Sequence, residues 1–399
     1  MSTQSTQTQQ LAPEVRRWRA ALFAMFLLTG ITFASWVTRT PAIRDSVGAS
    51  TARMGVIIAG LSVGSLLGIA VAGRLVVARG GRFVIALGAV AMVAGLLLIA
   101  LGAALGAGWL VCGGLAFFGL GMGASEVAQN VEGAEVERAL DASVLPAMHG
   151  CFSIGTFAGA LAGIALNALA VPVALHVGTS AALMAAVAVW AVRGIPAHSP
   201  ADESAERTRA PRVWREPRVV LIGVIVLGMA LAEGSANDWL PLITVDGFGA
   251  TATIGSVAYA LFGLAMATGR FSGSRVLDRF GRTTAMRGSA VIATAGVALV
   301  VLAPGIELAA AGVVLWGLGT SLGFPVALSA AGDDPEHAAA RVSAVATIGY
   351  LAFLVGPPLL GLLGEFAGLR NALVVVVVML VVAGACAPAV RDRATASRP

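Results

Sequence analysis

Twelve apolar blocks, each long enough to cross a lipid bilayer, leave this chain few folds to adopt. At a rise of 1.5 Å per residue, about 20 apolar residues span a hydrocarbon core of about 30 Å. The blocks run 18–38, 52–76, 82–105, 109–131, 143–170 and 172–193, then 219–243, 252–277, 283–303, 307–330, 339–363 and 369–390. Composition agrees: 58% of the 399 residues are hydrophobic and 12% charged, against about 25% charged in soluble domains. One globule cannot hide that much apolar surface, so a soluble enzyme is excluded. The 50 glycines suit helices that approach backbone to backbone in lipid. The expected fold class is an all-α membrane protein.

The polar stretch 194–216 divides the blocks six and six. It holds Pro200, Pro211 and the series Asp202, Glu203, Glu206, Arg207, Arg209, Arg212, Arg215. Residues 1–193 and 217–399 are therefore expected to form two six-helix bundles joined by this linker. The start, 1–10, is a Ser/Thr/Gln tail without the charged region and cleavage site of a signal peptide, so the first helix is expected to stay. All 26 basic residues are arginine. With no lysine, Schiff-base chemistry and a Walker lysine are impossible, which excludes ATP-driven transport within this chain. Arginines between apolar blocks meet anionic lipid rather than nucleic acid. Only Arg39, Arg44, Arg53 and Arg370 fall on the side opposite the termini and linker, so both termini are expected in the cytoplasm of a bacterial cell, the chain lying in its inner membrane.

Cys112, Cys151 and Cys386 lie in separate blocks, and the four histidines form no cluster, so no metal, disulfide framework or cofactor is expected. The halves repeat. A shift of 200 residues carries Gly73–Arg82 (GRLVVARGGR) onto Gly273–Arg282 (GSRVLDRFGR), matching Arg79 with Arg279, Gly81 with Gly281 and Arg82 with Arg282. Gly48, Ala49 and Gly55 echo Gly249, Ala250 and Gly255. A parallel six-plus-six repeat is the architecture of many transporters.

This repeated loop resembles the signature of the major facilitator superfamily, a glycine followed by Asp-Arg-x-Gly-Arg between the second and third helix of each half. The copy Asp278-Arg279-Phe280-Gly281-Arg282 is complete, whereas Ala78 replaces the acid in the first copy. The resemblance implies that Gly73, Arg79, Gly81, Arg82, Asp278, Arg279, Gly281 and Arg282 gate the transport cycle. Glu126-Val-Ala-Gln-Asn130 resembles the Glu-x-x-x-Asn element of the fucose-permease-like branch, whose glutamate takes part in proton coupling and sugar binding. Glu233–Trp239 (EGSANDW) and Gly349–Pro358 (GYLAFLVGPP) resemble members of that branch with unassigned substrates. Fucose permeases carry a second carboxylate in the first span, and 20–38 holds none here.

The residues themselves point the same way. An ionisable side chain at the bilayer centre costs about 2.5–3.5 kcal/mol even on the gentler insertion scale. Glu126 and Asn130, at i and i+4, share a helix face, and His149 is expected at the depth of Asn130 with Glu126 one turn deeper. Such a cluster is either a proton-titrating site or a hydrogen-bonded clamp between helices. Glu233 lies about 21 Å into span seven. Asp238 and Trp239 are expected near the outer boundary, with Arg39, beyond Trp36, either neutralising Asp238 or snorkelling to lipid. Trp36, Arg39, Asn237, Asp238 and Tyr350 are candidates for the substrate cavity. Trp316, Phe324, Phe118 and Phe152 either stack on a ring or pack. Pro325, Pro357 and Pro358 interrupt spans ten and eleven.

Together these features predict a monomeric secondary transporter of a small polar, sugar-like solute, driven by protons through alternating access. A proton-antiport exporter is the alternative. Gly155, Gly159 and Gly163 fit its span-five motif, but Ala160 stands where the proline would be. A membrane-embedded enzyme or non-transporting sensor lacks, respectively, a catalytic constellation and a sizeable soluble domain. The arginine asymmetry makes a direct prediction: a cysteine replacing Ser204 reacts with an impermeant thiol reagent in inside-out vesicles and not in intact cells.

Overall fold

The computed structural model describes residues 13–141, 144–197, 213–333 and 337–391. The linker centre (198–212, with Ser204 and the charged series as far as Arg212), the tail 1–12, and Ser143 at the expected start of span five lie outside these residues. Among the described residues, eleven helices are long and apolar enough to cross a membrane, and one of them is really two. Ala252–Leu302 has 51 residues, about 76 Å of helix for a core of about 30 Å. It breaks at Gly281 (φ 73°, ψ 163°), a conformation closed to other L-residues.

The spans are thus α1 Pro13–Val37, α2 Thr51–Arg79, α3 Gly81–Leu105, α4 Gly108–Leu140, α5 Leu145–Ala168 and α6 Val173–Gly194. The second set is α7 Pro217–Phe248, α8 252–280, α9 281–302, α10 Ile306–Ala331, α11 Ala338–Ala367 and α12 Leu369–Val390. A short helix, Thr40–Ser46, joins α1 to α2. Most ends fall within a few residues of the apolar blocks. The exception is α4, which runs nine residues past Val131 to a left-handed cap at Asp141. That extension is polar, with Glu135 paired to Arg138 one turn on, so it reads as helix emerging from the membrane. Pro325 lacks the N–H that would bond Ser321 O, and α10 is interrupted at Ser321–Leu322. Pro357 and Pro358 leave α11 continuous.

The two sets of six pack alike. In the first, α1 lies against α5 and α6, α4 against α2 and α3, and α3 against α6. In the second, α7 lies against α11 and α12, α10 against α8 and α9, and α9 against α12. Glycine makes the closest approaches possible. Gly60, Gly64 and Gly68 of α2 face the carbonyls of Cys112, Ala116 and Leu120 of α4, while Gly119 and Gly123 of α4 face those of Leu61 and Ser65. Gly155, Gly159 and Gly163 serve the same purpose in α5, against Leu27 and Ile31 of α1 and Thr38 just beyond its end. Leu67, Leu97, Trp109, Trp190 and Val378 are exposed on the outer faces, an apolar belt suited to lipid.

Two helix pairs, α2–α11 and α5–α8, make most of the contact between bundles. The repeat register shifts slightly from the sequence match. The left-handed glycine ending α2 is Gly80 (φ 81°), not Gly81, and its counterpart is Gly281, 201 residues on; Gly48 and Gly249 keep the same offset. A single glycine in the second turn fixes the bend there, whereas the Gly80-Gly81 pair leaves the first turn free to bend one residue earlier.

A side chain at Gly64 would stand on the backbone of Ala116. Overpacking a core typically costs about 1–3 kcal/mol, so Gly64→Leu is expected to lower the melting midpoint of the purified protein markedly. Val77→Leu, on the exposed face of the same helix, should leave it unchanged.

Candidate functional site

The polar side chains at mid-span converge where the bundles face each other. From α4, Glu126 and Asn130 project along one face, as their spacing requires. His149, at the start of α5, brings Nε2 to 3.0 Å from Asn130 Oδ1, with its ring 4.8 Å from that of Phe26 on α1. The expected depth relation between these three residues therefore holds. Glu126 and His149 are both exposed; exposed polar side chains at mid-span, between two bundles, line a cleft. Tyr350 on α11, from the other bundle, lies within reach of the Glu126 charge.

Across the cleft, Glu233 on α7 accepts a hydrogen bond from Arg270 on α8, Oε1 to Nη2 3.0 Å. The Arg270 charge also acts on His149, so the two polar groups face each other between the bundles. Tyr259 on α8 donates to Asn237 Oδ1 at 3.4 Å and lies in the fields of Asp238 and Glu233. Arg270 is one residue that the sequence does not single out. It lies 18 residues into α8, about 27 Å along the axis, and was grouped with the loop arginines that follow it. Its signal was a charge inside an apolar block rather than after one.

Between described residues, the hydrogen bonds and ion pairs joining the bundles gather at the end away from the linker, the far end. Arg44 pairs with Asp246. Glu365 of α11 accepts from the backbone N–H of Ala52 at the start of α2, at 3.0 Å. Asn167 of α5 donates to Ser256 Oγ of α8, at 2.8 Å. The deepest is Ser62 Oγ to Phe353 O, 2.7 Å. The cleft is thus closed at the far end.

Several expected cavity residues do not line it. Trp36 is fully buried, edge-on to Phe33. Arg39, 3% exposed, neither snorkels nor meets Asp238. Its Nε donates to His176 Nδ1 at 2.9 Å and its Nη1 to Asn167 Oδ1 at 2.6 Å, two isolated polar residues in other spans that supply a neutral, hydrogen-bonding socket. Trp239 is fully buried rather than a headgroup anchor, and Asp238 is buried with no ion pair among the described residues. Both are sealed by the close packing of α7. Trp316 and Phe118 are fully buried packing residues, with Trp316 Nε1 donating to Ala232 O at 3.1 Å.

At the linker end, Asp278 is exposed and makes no hydrogen bond or ion pair among the described residues. Gly73 has open space around it, and Arg79 and Arg279 lie over the rings of Phe83 and Phe280. The acid engaging this loop is Asp333, beyond α10, which accepts from Arg282 at 2.6 Å and Arg218 at 2.8 Å. In the first bundle the Glu132 carboxylate occupies the space that a Gly81 side chain would need. Neither acid was singled out in the sequence.

A sequence model described as the Major Facilitator Superfamily matches residues 21–351 and 260–399. An uncharacterized MFS-type transporter of Yersinia pestis is 28% identical over 98% of this chain and 100% of its own length. Membrane protein MosC of Rhizobium meliloti is 27% identical over 95% and 91%. Among solved structures, the nucleoside transporter NupG superposes with a TM-score of 0.79 at 13% identity, over 94% of this chain and 99% of NupG. The Escherichia coli fucose:proton symporter FucP gives 0.65 at 18% identity, over 93% and 97%.

The Arg39 socket is testable. Arg39→Met leaves Asn167 Oδ1 and His176 Nδ1 without their donor, and an unmet buried polar group costs about 1–3 kcal/mol. A lowered melting midpoint is expected, which Arg39→Lys restores only in part because ammonium lacks the planar fork.

Proposed function

This chain belongs to the Major Facilitator Superfamily and is an integral membrane transporter of a solute rather than an enzyme; from that premise we propose that it is a proton-coupled carrier of a small polar solute. Residues 1–193 and 217–399 act as the two rocking units, with 194–216 the link between them. The observation that carries this reading is the cleft itself. Glu126, Asn130 and His149 on one bundle face Glu233, Arg270 and Tyr350 on the other, with the far end closed. Arginine asymmetry puts the linker end in the cytoplasm of a bacterial inner membrane, so the conformation corresponds to one open inward. FucP is a fucose:proton symporter and NupG a nucleoside transporter by their descriptions, which supports a polyhydroxylated or similarly polar cargo.

Glu126 is the coupling carboxylate in this reading. Its side chain is exposed between the bundles, where alternating access would present it to one side of the membrane at a time. Asn130 and His149 form the polar wall beside it. The loops around Gly73–Arg82 and Asp278–Arg282 gate the linker end, with Arg282 and Asp333 as the contact in this state. The chain works as a monomer.

Glu126→Gln mimics the protonated form and keeps most hydrogen-bonding capacity. In liposomes with an imposed pH gradient it is expected to abolish concentrative transport while preserving exchange of solute across the membrane. Concentrative transport at near the parent rate would remove Glu126 from coupling. The direction of the gradient that drives transport separates symport from proton-antiport export.

A further inference from the structure

The Glu233–Arg270 pair carries more than the coupling reading uses. In a chain without lysine, the choice of arginine says nothing, but its place does. Arg270 stands well inside α8, yet 37% of its side chain is exposed, twice the 18% of its partner Glu233. A guanidinium carries five N–H donors in a planar fork. Here one contact, Nη2 to Glu233 Oε1, is made, and the remaining donors meet no acceptor among the described residues. His149, held by Asn130, is the other titratable group that feels its charge, while Tyr259, held by Asn237, lies in the field of Glu233. An accessible cation with free coplanar donors is a receptor for a planar, two-oxygen anion.

We propose that Arg270 anchors a carboxylate-type anionic group on the transported solute, and that Glu233 is the internal anion this group displaces. The inference rests on the reading of this cleft as the transport site and names the substrate class it takes. Two carboxylates on one guanidinium leave a net negative charge in a low-dielectric cleft, which is costly. Glu233 therefore leaves the guanidinium as the solute's carboxylate takes its place, and no covalent bond changes. Neutral polyols gain hydrogen bonds here but cannot compete for the fork.

The test uses the full chain in liposomes, with phenylglyoxal modification of Arg270 followed by peptide mass spectrometry and exposed Arg279 as internal reference. Acetate, the smallest carboxylate, is the probe, and acetamide is its neutral isostere. Acetate is expected to slow modification of Arg270 several-fold relative to Arg279, and acetamide to leave it unchanged. In Glu233→Gln, where the internal competitor is gone, acetate protection is expected several-fold stronger. Equal protection by acetamide overturns the proposal, and so does an absence of acetate protection in Glu233→Gln. Should that variant not fold, the acetate–acetamide contrast in the parent chain decides alone. Transport of a neutral polyol without acetate protection leaves the carrier reading standing and removes the anion site. Acetate protection in a chain that moves no solute does the reverse.

Discussion

Helices in lipid gain nothing by expelling water from between them, so they cohere through contact, and contact is closest where no side chain intervenes. Everything else in this structure depends on that constraint. Gly60, Gly64 and Gly68 bring α2 onto the backbone of α4, and Gly155, Gly159 and Gly163 bring α5 onto α1. Gly296 and Gly312 do the same for α9 and α10. Such contacts tolerate no sliding, because a shift of one residue would put a side chain where a glycine must be. Each set of six helices is therefore a stiff body, and the surface between the bodies is the one with room to change.

The polar residues are distributed to match. Within the first bundle, Arg39 is buried without a carboxylate; its Nε and Nη1 are met by neutral acceptors on His176 and Asn167 while its Nη2 is buried with no partner among the described residues, a strut between helices. Between the bundles, the bonds are of another kind. Arg44–Asp246, Glu365 on the start of α2, and Asn167–Ser256 sit at the far rim, where each partner regains water on separation. Exchanging such bonds for hydration costs little, since hydrogen bonds to water replace those lost. Asn167 belongs to both systems: it bonds the strut through Oδ1 and the opposite bundle through Nδ2. Disturbance of the Arg39 socket is therefore felt at the rim, though Arg39 makes no hydrogen bond or ion pair to the second bundle among the described residues.

The spans were legible because hydropathy is additive over 20 residues and the bilayer imposes the length. The polar cluster of Glu126, Asn130 and His149 was legible because two of its members are one turn apart and the third sits at matching depth across a short loop. What was not legible is long-range pairing. Arg39 was assigned to Asp238 or to lipid because nothing local marks His176 and Asn167 as its partners, lying 137 and 128 residues away. Arg270 was grouped with loop arginines because a cation near the end of an apolar block carries the same orientation signal whether it faces lipid headgroups or a cleft. Trp36 and Trp239 were given interfacial or cavity roles from residue type, and packing buried both.

The repeat resolves the puzzle of the missing acid at Ala78. An offset of 201 residues relates Gly48 to Gly249 and Gly80 to Gly281 by backbone conformation. The same offset carries Gly81 onto Arg282 and Glu132 onto Asp333. In the second bundle Arg282 binds Asp333, and in the first Glu132 fills the space beside Gly81. Both turns thus receive a carboxylate from the same position, at the positive end of the following helix, where an anion is stabilised whether or not an arginine is present. Asp278, the one acid that distinguishes the complete loop from the incomplete one, touches neither. In this conformation each turn thus has a carboxylate beside it, and an aspartate in place of Ala78 would copy a residue, Asp278, that makes no hydrogen bond or ion pair among the described residues.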